Sequence, residues 1–156
     1  MSVLARFLGR TDAGLDVEPL RKRHLPEMLP IEQASYPQPW TPGVFQSELD
    51  LVRPGQRHYL VARRAGEVVG YGGLMFVVDD APVTNIAVAP SHRREGVATR
   101  LLAELAWEAI RRECEEAGHR RPPRHVLDMG IQAAVLVEDD HRGKGTVAGR
   151  LHQVAP

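Results

Sequence analysis

From Pro90 the chain reads Pro-Ser-His-Arg-Arg-Glu-Gly-Val-Ala-Thr-Arg-Leu, with an apolar run, Val83 to Val88, before it and an apolar-striped stretch after it. A strand that turns through Arg93-Arg-Glu-Gly-Val-Ala98 into a helix brings the first N–H groups of that helix, which lack intrahelical partners, to the end of a sheet. Those N–H groups and the helix dipole both favour negative charge. Glycine at 96 lets an anion approach the backbone closely, and Ala98 is small for the same purpose. Arg93 and Arg94 can add charge-assisted contacts; a solvated basic turn is the plain alternative. The chemistry that this spacing supports is the grip of a diphosphate-bearing ligand, with Arg93, Arg94, Glu95, Gly96, Val97, Ala98 and Thr99 as candidate residues.

Several elements must hold that loop in place. Leu15–Leu20 alternates like a short strand. His24–Ala34 carries helical spacing through Leu25, Met28, Leu29 and Ile31. Tyr36–Pro42 holds three prolines and forbids a helix, after which Thr41 can cap a new one with Pro42 in its first turn, running towards Leu51. His58–Arg63 and Val68–Val78 read as two strands of a hairpin about Ala65-Gly-Glu67, with Gly70, Gly72 and Gly73 marking a bulge or a close backbone approach. Asp79-Asp80 turns into a strand from Pro82 to Val88. The helix after the loop is striped by Val97, Leu101, Leu105 and Ala109, widened by Leu102, Ala106 and Ile110, with Glu108 and Arg112 spaced to pair and Gly118 as a stop. Arg120–Arg124 reads as a linker, His125–Met129 as a strand, Ala133–Val137 as a short apolar run, and the remainder as polar. The order is β-α-α-β-β-β-α-β. Residues 1–14 are expected to fray, leaving 15–156 as one domain.

Composition narrows the classes. A chain of 156 residues suits one domain with a real core. The formal net charge is zero, which gives no broad pull towards nucleic acid or an anionic membrane. Only Lys22 and Lys144 are lysine among 20 basic residues; arginine suits phosphate or carboxylate recognition, but a GC-rich genome is the preferred account. The single Cys114 excludes an intramolecular disulfide and a cysteine metal cluster, and it reads as a small core residue. No apolar stretch reaches membrane-spanning length and Met1–Leu8 is too short for a signal peptide, so a cytoplasmic location is expected.

The region from about Leu15 to Ile110 resembles the GNAT superfamily of acetyl-coenzyme A-dependent N-acetyltransferases, on Arg93-x-x-Gly96-x-Ala98 placed between a strand and an amphipathic helix. Within it, Ile31-Glu-Gln-Ala-Ser-Tyr-Pro-Gln-Pro-Trp-Thr-Pro-Gly-Val-Phe45 and Thr84-Asn-Ile-Ala-Val88 are similar to the RimI-type ribosomal-protein alanine N-acetyltransferases. The resemblance implies an α/β fold with a mixed, mostly antiparallel sheet flanked by helices, and acetyl transfer to an α-amine, the N-terminal alanine of a ribosomal protein. It implies that the backbone of Ile86, Ala87 and Val88 pairs with the pantetheine arm and that Arg94–Thr99 holds the diphosphate. Asp128, in Leu127-Asp-Met129, takes the position of the family's base; a turn-capping Asp is the alternative. Tyr36 and Trp40 fall in a loop that borders the acceptor peptide, Tyr36 placed to hydrogen-bond it and Trp40 to wall the groove or to pack as core.

The chain departs from the family after its long helix. The family's sulfur-protonating Tyr falls on Asp140, its Asn on Ala133, and no Phe, Tyr or Trp follows Trp107. Two rival functions therefore stand beside the first: transfer to a small-molecule or side-chain amine, and a catalytically weak coenzyme A-binding module. Arg142-Gly-Lys-Gly145 reads as a flexible basic turn. Glu138, Asp139, Asp140 and His141 read as solvated groups, so no metal is assigned. His24, His58, His92 and His119 have surface-like neighbours and receive no role.

Overall fold

The computed structural model describes residues 14–77 and 81–117. A four-stranded antiparallel sheet in the order β1-β2-β3-β4 forms from Leu15–Pro19, Arg57–Arg64, Glu67–Met75 and Val83–Val88. Two helices, α1 (Leu25–Ser35) and α2 (Pro42–Asp50), lie between β1 and β2, and α3 (Val97–Ala117) follows β4. The β-α-α-β-β-β-α part of the expected order is present. The strand expected at His125–Met129, the stop at Gly118, the run Ala133–Val137 and the fraying of residues 1–13 lie outside the described residues.

Local chemistry sets the element ends. Thr41 caps α2, its Oγ1 accepting the Val44 N–H at 3.4 Å, with Pro42 in the first turn. The β2–β3 hairpin turns at Ala65–Gly66, both at positive φ, 50° and 87°, the pair of signs that a two-residue hairpin turn requires. β3 closes at Met75, short of the expected Val78. The bulge foreseen among the β3 glycines falls between Gly73 and Leu74, where β4 inserts Thr84, and a second lies between Ala62 and Arg63.

The sheet separates two cores. Leu60, Ala62, Val69, Leu74, Ile86 and Val88 meet the α3 stripe of Val97, Leu101, Leu102, Leu105 and Ala109 on one face. Tyr59, Val61, Val68, Tyr71 and Ala87 meet Leu25, Met28 and Ile31 of α1 and Phe45 of α2 on the other. Burying each large aliphatic of the stripe contributes about 2 kcal/mol. Helix α3 settles closely because β3 shows it bare backbone. A Cβ at Gly70 would stand 3.0 Å from Val97 Cγ1, and one at Gly72 would stand 3.2 Å from Leu105 Cδ1.

His24 corrects an expectation. It is buried, 2% exposed, and forms part of a 3-10 turn (Lys22–His24) ahead of α1. Its Nδ1 accepts the Arg21 N–H at 3.1 Å and its Nε2 lies 3.2 Å from Glu18. Burial holds its pKa down, against the pull of Glu18. Chain neighbours alone hid this, because the burial comes from the turn folding under β1. The expected Glu108–Arg112 pair is present at 2.7 Å, joined by Arg111 at 2.8 Å. Burial pushes the Glu108 carboxyl up, but the hydrogen bonds from Arg111 and Arg112 outweigh it and bring it to about 2.

Two outcomes are expected. Because Glu108 titrates lower folded than unfolded, its stabilisation is complete above the ordinary carboxylate range and fades as pH falls towards about 2; Glu108→Gln should flatten the acid limb of a stability-versus-pH curve. Gly73→Ala places a methyl 2.1 Å from Tyr59 Cε1, in a ring that is 2% exposed. Such overpacking costs about 3 kcal/mol and should lower Tm by roughly 6–12 °C. Gly43→Ala, with its nearest atom 3.8 Å away in a helix, should leave Tm unchanged or raise it.

Candidate functional site

The site gathers where β4 ends and α3 begins. After Val88 the chain makes a short 3-10 turn, Pro90–His92, and then reverses at Arg94 and Gly96, whose φ values are 65° and 82°. Glycine is the residue that takes such a φ without strain. Gly96 O accepts the Arg100 N–H at 3.0 Å, which starts the helix at Gly96. Glycine has no side chain to cap that end, so the N–H groups of Val97, Ala98 and Thr99 point out of it. A Cβ at Gly96 would meet nothing within 4 Å. A small dent, open to solvent, is lined there by Val88, Arg93, Arg94, Gly96, Val97 and Thr99, among others.

The charged side chains of the loop brace it. Arg93 Nε donates to Val88 O at 3.1 Å and its Nη2 to Ser35 Oγ at 3.2 Å, tying the loop to β4 and to the end of α1. Glu95 pairs with Arg64 at the end of β2 and lies 3.1 Å from His92 Nδ1. The His92 hydrogen bond, aided by the Arg64 charge, holds the Glu95 carboxyl below its usual range. Of the residues expected to meet a diphosphate, Gly96, Val97, Ala98 and Thr99 present backbone N–H groups, whereas Arg93 and Glu95 are engaged with the protein itself.

β4 forms one end of the sheet among the described residues. Ala89 donates to Val69 O at 2.8 Å, and Tyr71 opposes Ala87. By the two-residue alternation of an antiparallel ladder, Ala87 turns its N–H and C=O inward to β3, while Ile86 and Val88 turn theirs to the outer edge. The contacts agree: Arg93 reaches Val88 O, and the Tyr36 hydroxyl reaches the backbone of Ile86, 2.8 Å from O and 3.2 Å from N. Thus Tyr36 and Ile86, 50 positions apart, meet directly.

The proline-rich segment beyond Tyr36 is held by a residue that the sequence reading passed over. Glu32 is fully buried, and its carboxyl accepts the Trp40 N–H at 2.7 Å and the Tyr71 hydroxyl. Its signal was there: Met28, Ile31 and Glu32 share the apolar stripe of α1, so an acid stands at a core position. Trp40 packs edge-on against Phe45, centroids 5.2 Å apart, and Phe45 against Tyr71. A second polar line runs through the same face. Arg57 Nε and the Tyr59 hydroxyl both donate to Glu48, at 2.6 and 2.8 Å; Thr84 Oγ1 lies 3.0 Å from that hydroxyl and 3.1 Å from Asn85 Oδ1. Burial pushes the Tyr59 hydroxyl up, out of titrating range. The Asn85 side-chain nitrogen is buried and has no partner among the described residues. Asp128, the candidate base, and the clusters at 138–145 lie outside the described residues. Among the described residues no helix is long and apolar enough to cross a membrane.

Residues 25–125 match the acetyltransferase (GNAT) family. The chain is 35% identical over 105 residues to a putative ribosomal protein bS18-alanine N-acetyltransferase of Bacillus subtilis, covering 67% of this chain and 65% of that one. It is 37% identical over 71 residues to the N-alpha-acetyltransferase RimI of Mycobacterium tuberculosis, 43% of each. The crystal structure of the ribosomal-protein-S18-alanine N-acetyltransferase from Escherichia coli superposes with a TM-score of 0.56 at 26% identity, covering 63% of this chain and 61% of that one. The chain therefore spans less than two thirds of the length of each of these relatives, 65%, 43% and 61%.

Glu32→Ala should strip the acceptor from a buried donor, the Tyr71 hydroxyl, and from the part-buried Trp40 N–H, at about 1–3 kcal/mol for each left unpaired. The expected outcome is a Tm lower by roughly 5–15 °C and a red-shifted Trp40 fluorescence, with Glu32→Gln closer to the parent because one oxygen remains.

Proposed function

The chain belongs to the acetyltransferase (GNAT) family, and we propose that it moves the acetyl group of acetyl-coenzyme A onto an α-amine, the N-terminal alanine of a ribosomal protein. One observation carries the donor half: a 21-residue helix opens after Gly96, one short turn on from a strand whose Ile86 and Val88 face the sheet edge. The similarity to relatives named for alanine N-acetylation supports the acceptor half.

The residues fit this donor. The space around Gly96 admits a phosphate oxygen to the main chain, and the N–H groups of Gly96, Val97, Ala98 and Thr99 hold the diphosphate. With Arg93 and Glu95 bracing the loop, the grip is mainly backbone, supplemented by Arg94 at the rim of the dent. Ile86 and Val88 offer the outward N–H and C=O groups that an extended amide arm pairs with. Bound acetyl-coenzyme A supplies an activated thioester carbonyl. Asp128, assigned from the family pattern, takes the proton that the attacking amine must lose, through a water because Asp is short. Tyr36 and the segment to Trp40 border the acceptor. The lack of any aromatic residue after Trp107 favours a second reading, a coenzyme A-binding module with weak catalysis.

The test offers the purified chain acetyl-coenzyme A with a peptide bearing an N-terminal alanine, beside an N-blocked peptide with free lysines and a polyamine. Mass spectrometry should find one acetyl group on the α-amine. Gly96→Val, strained at a φ of 82° and filling the open space, should weaken coenzyme A binding by about tenfold or more. Asp128→Asn should lower kcat by about 100-fold with coenzyme A affinity unchanged. Acetylation of the polyamine alone moves the acceptor to small amines, binding without turnover establishes the second reading, and no binding overturns both.

A further inference from the structure

The outer edge of β4 already has an occupant. The Tyr36 hydroxyl gives its proton to Ile86 O at 2.8 Å and takes the Ile86 N–H on a lone pair at 3.2 Å. One phenol thus meets both groups that Ile86 turns away from β3. An amide offers the same complement, one N–H and one C=O, in an extended arm. The Ile86 N–H carries a single proton, so the phenol and an amide carbonyl compete for it.

Tyr36 is also the first residue of the proline-rich segment. Four residues on, Trp40 is held by Glu32 and packed on Phe45. The segment therefore has a fixed end at Trp40 and, at Tyr36, an end whose N–H is held by Glu32 O at 3.1 Å and whose hydroxyl reaches the donor strand. We propose that Tyr36 is a positioning residue that stands in for the donor's amide arm at Ile86: it holds that edge while no arm is paired there, is displaced when one pairs, and then offers its hydroxyl to the acceptor peptide. The inference rests on the proposed role of β4 as the donor strand. It makes donor binding precede productive acceptor binding.

The experiment measures coenzyme A binding by calorimetry to the parent chain and to Tyr36→Phe, each checked for folding by circular dichroism and melting. Phenylalanine keeps the ring and removes the competing hydroxyl, so Tyr36→Phe should bind coenzyme A about tenfold tighter, the factor that one to two net hydrogen bonds represent. With the alanine peptide, KM for the peptide should rise because the released hydroxyl is missing; a purely structural role would leave coenzyme A affinity equal or lower. The parent chain supplies a second reading that needs no variant. Of its three tyrosines, 36, 59 and 71, ring NMR signals of Tyr36 should shift most on saturation with coenzyme A. Equal or weaker binding by folded Tyr36→Phe, or an unmoved Tyr36 signal in a saturated parent, overturns the proposal. A parent chain that binds no coenzyme A overturns the donor-strand reading and this proposal with it, whereas binding by the parent with no gain in the variant sinks this proposal alone.

Discussion

The seat of α3 on β3 governs the site. Gly70 and Gly72 leave bare backbone where Val97, Leu101 and Leu105 descend, and the helix packs more tightly than most side chains on the strand would allow. A helix held at that depth has its first turn fixed beside Val88, so the N–H groups past Gly96 arrive level with the β4 edge. A methyl group on that strip would press on Val97 and Leu105 and force them to give by a few tenths of an ångström. The placement of the turn proposed to bind an anion is thus set by packing some distance beneath it.

Charge around the turn is arranged to hold the backbone rather than to advertise itself. Arg93 locks onto Val88 O and Ser35, and Glu95 onto Arg64 and His92, so an acid sits within the loop without leaving a net repulsion for a phosphate. What remains for a ligand is mostly a ring of main-chain dipoles, oriented in advance and needing no reorganisation. The proposed anion site thus needs no net positive charge on the chain.

The readable parts of the sequence were those written in local spacing. The four-residue stripe of α3, the Thr41-Pro42 cap, the hairpin at Ala65–Gly66 and the glycine turn at 96 all follow from neighbours within a few positions, and each stands where its pattern placed it. The hidden parts depend on partners far along the chain. Arg93 looked like a phosphate ligand because nothing nearby announced Ser35, 58 residues earlier. Tyr36 found Ile86 across 50 positions, and His24 was buried by a turn against β1. Glu32 lay between the two kinds: its place on an apolar stripe was visible, but its partners Trp40 and Tyr71 were not.

The sheet acts as a partition. The residues packed beneath α3 and those packed against α1 and α2 share no member. Under the proposed function, one side grips a cofactor common to a whole family while the other shapes the surface met by a particular acceptor. A substitution behind α2 would then reshape the acceptor surface without touching the packing beneath α3. The two faces meet at β4, whose Ile86 and Val88 take contacts from Tyr36 on one side of the partition and from the loop before α3 on the other.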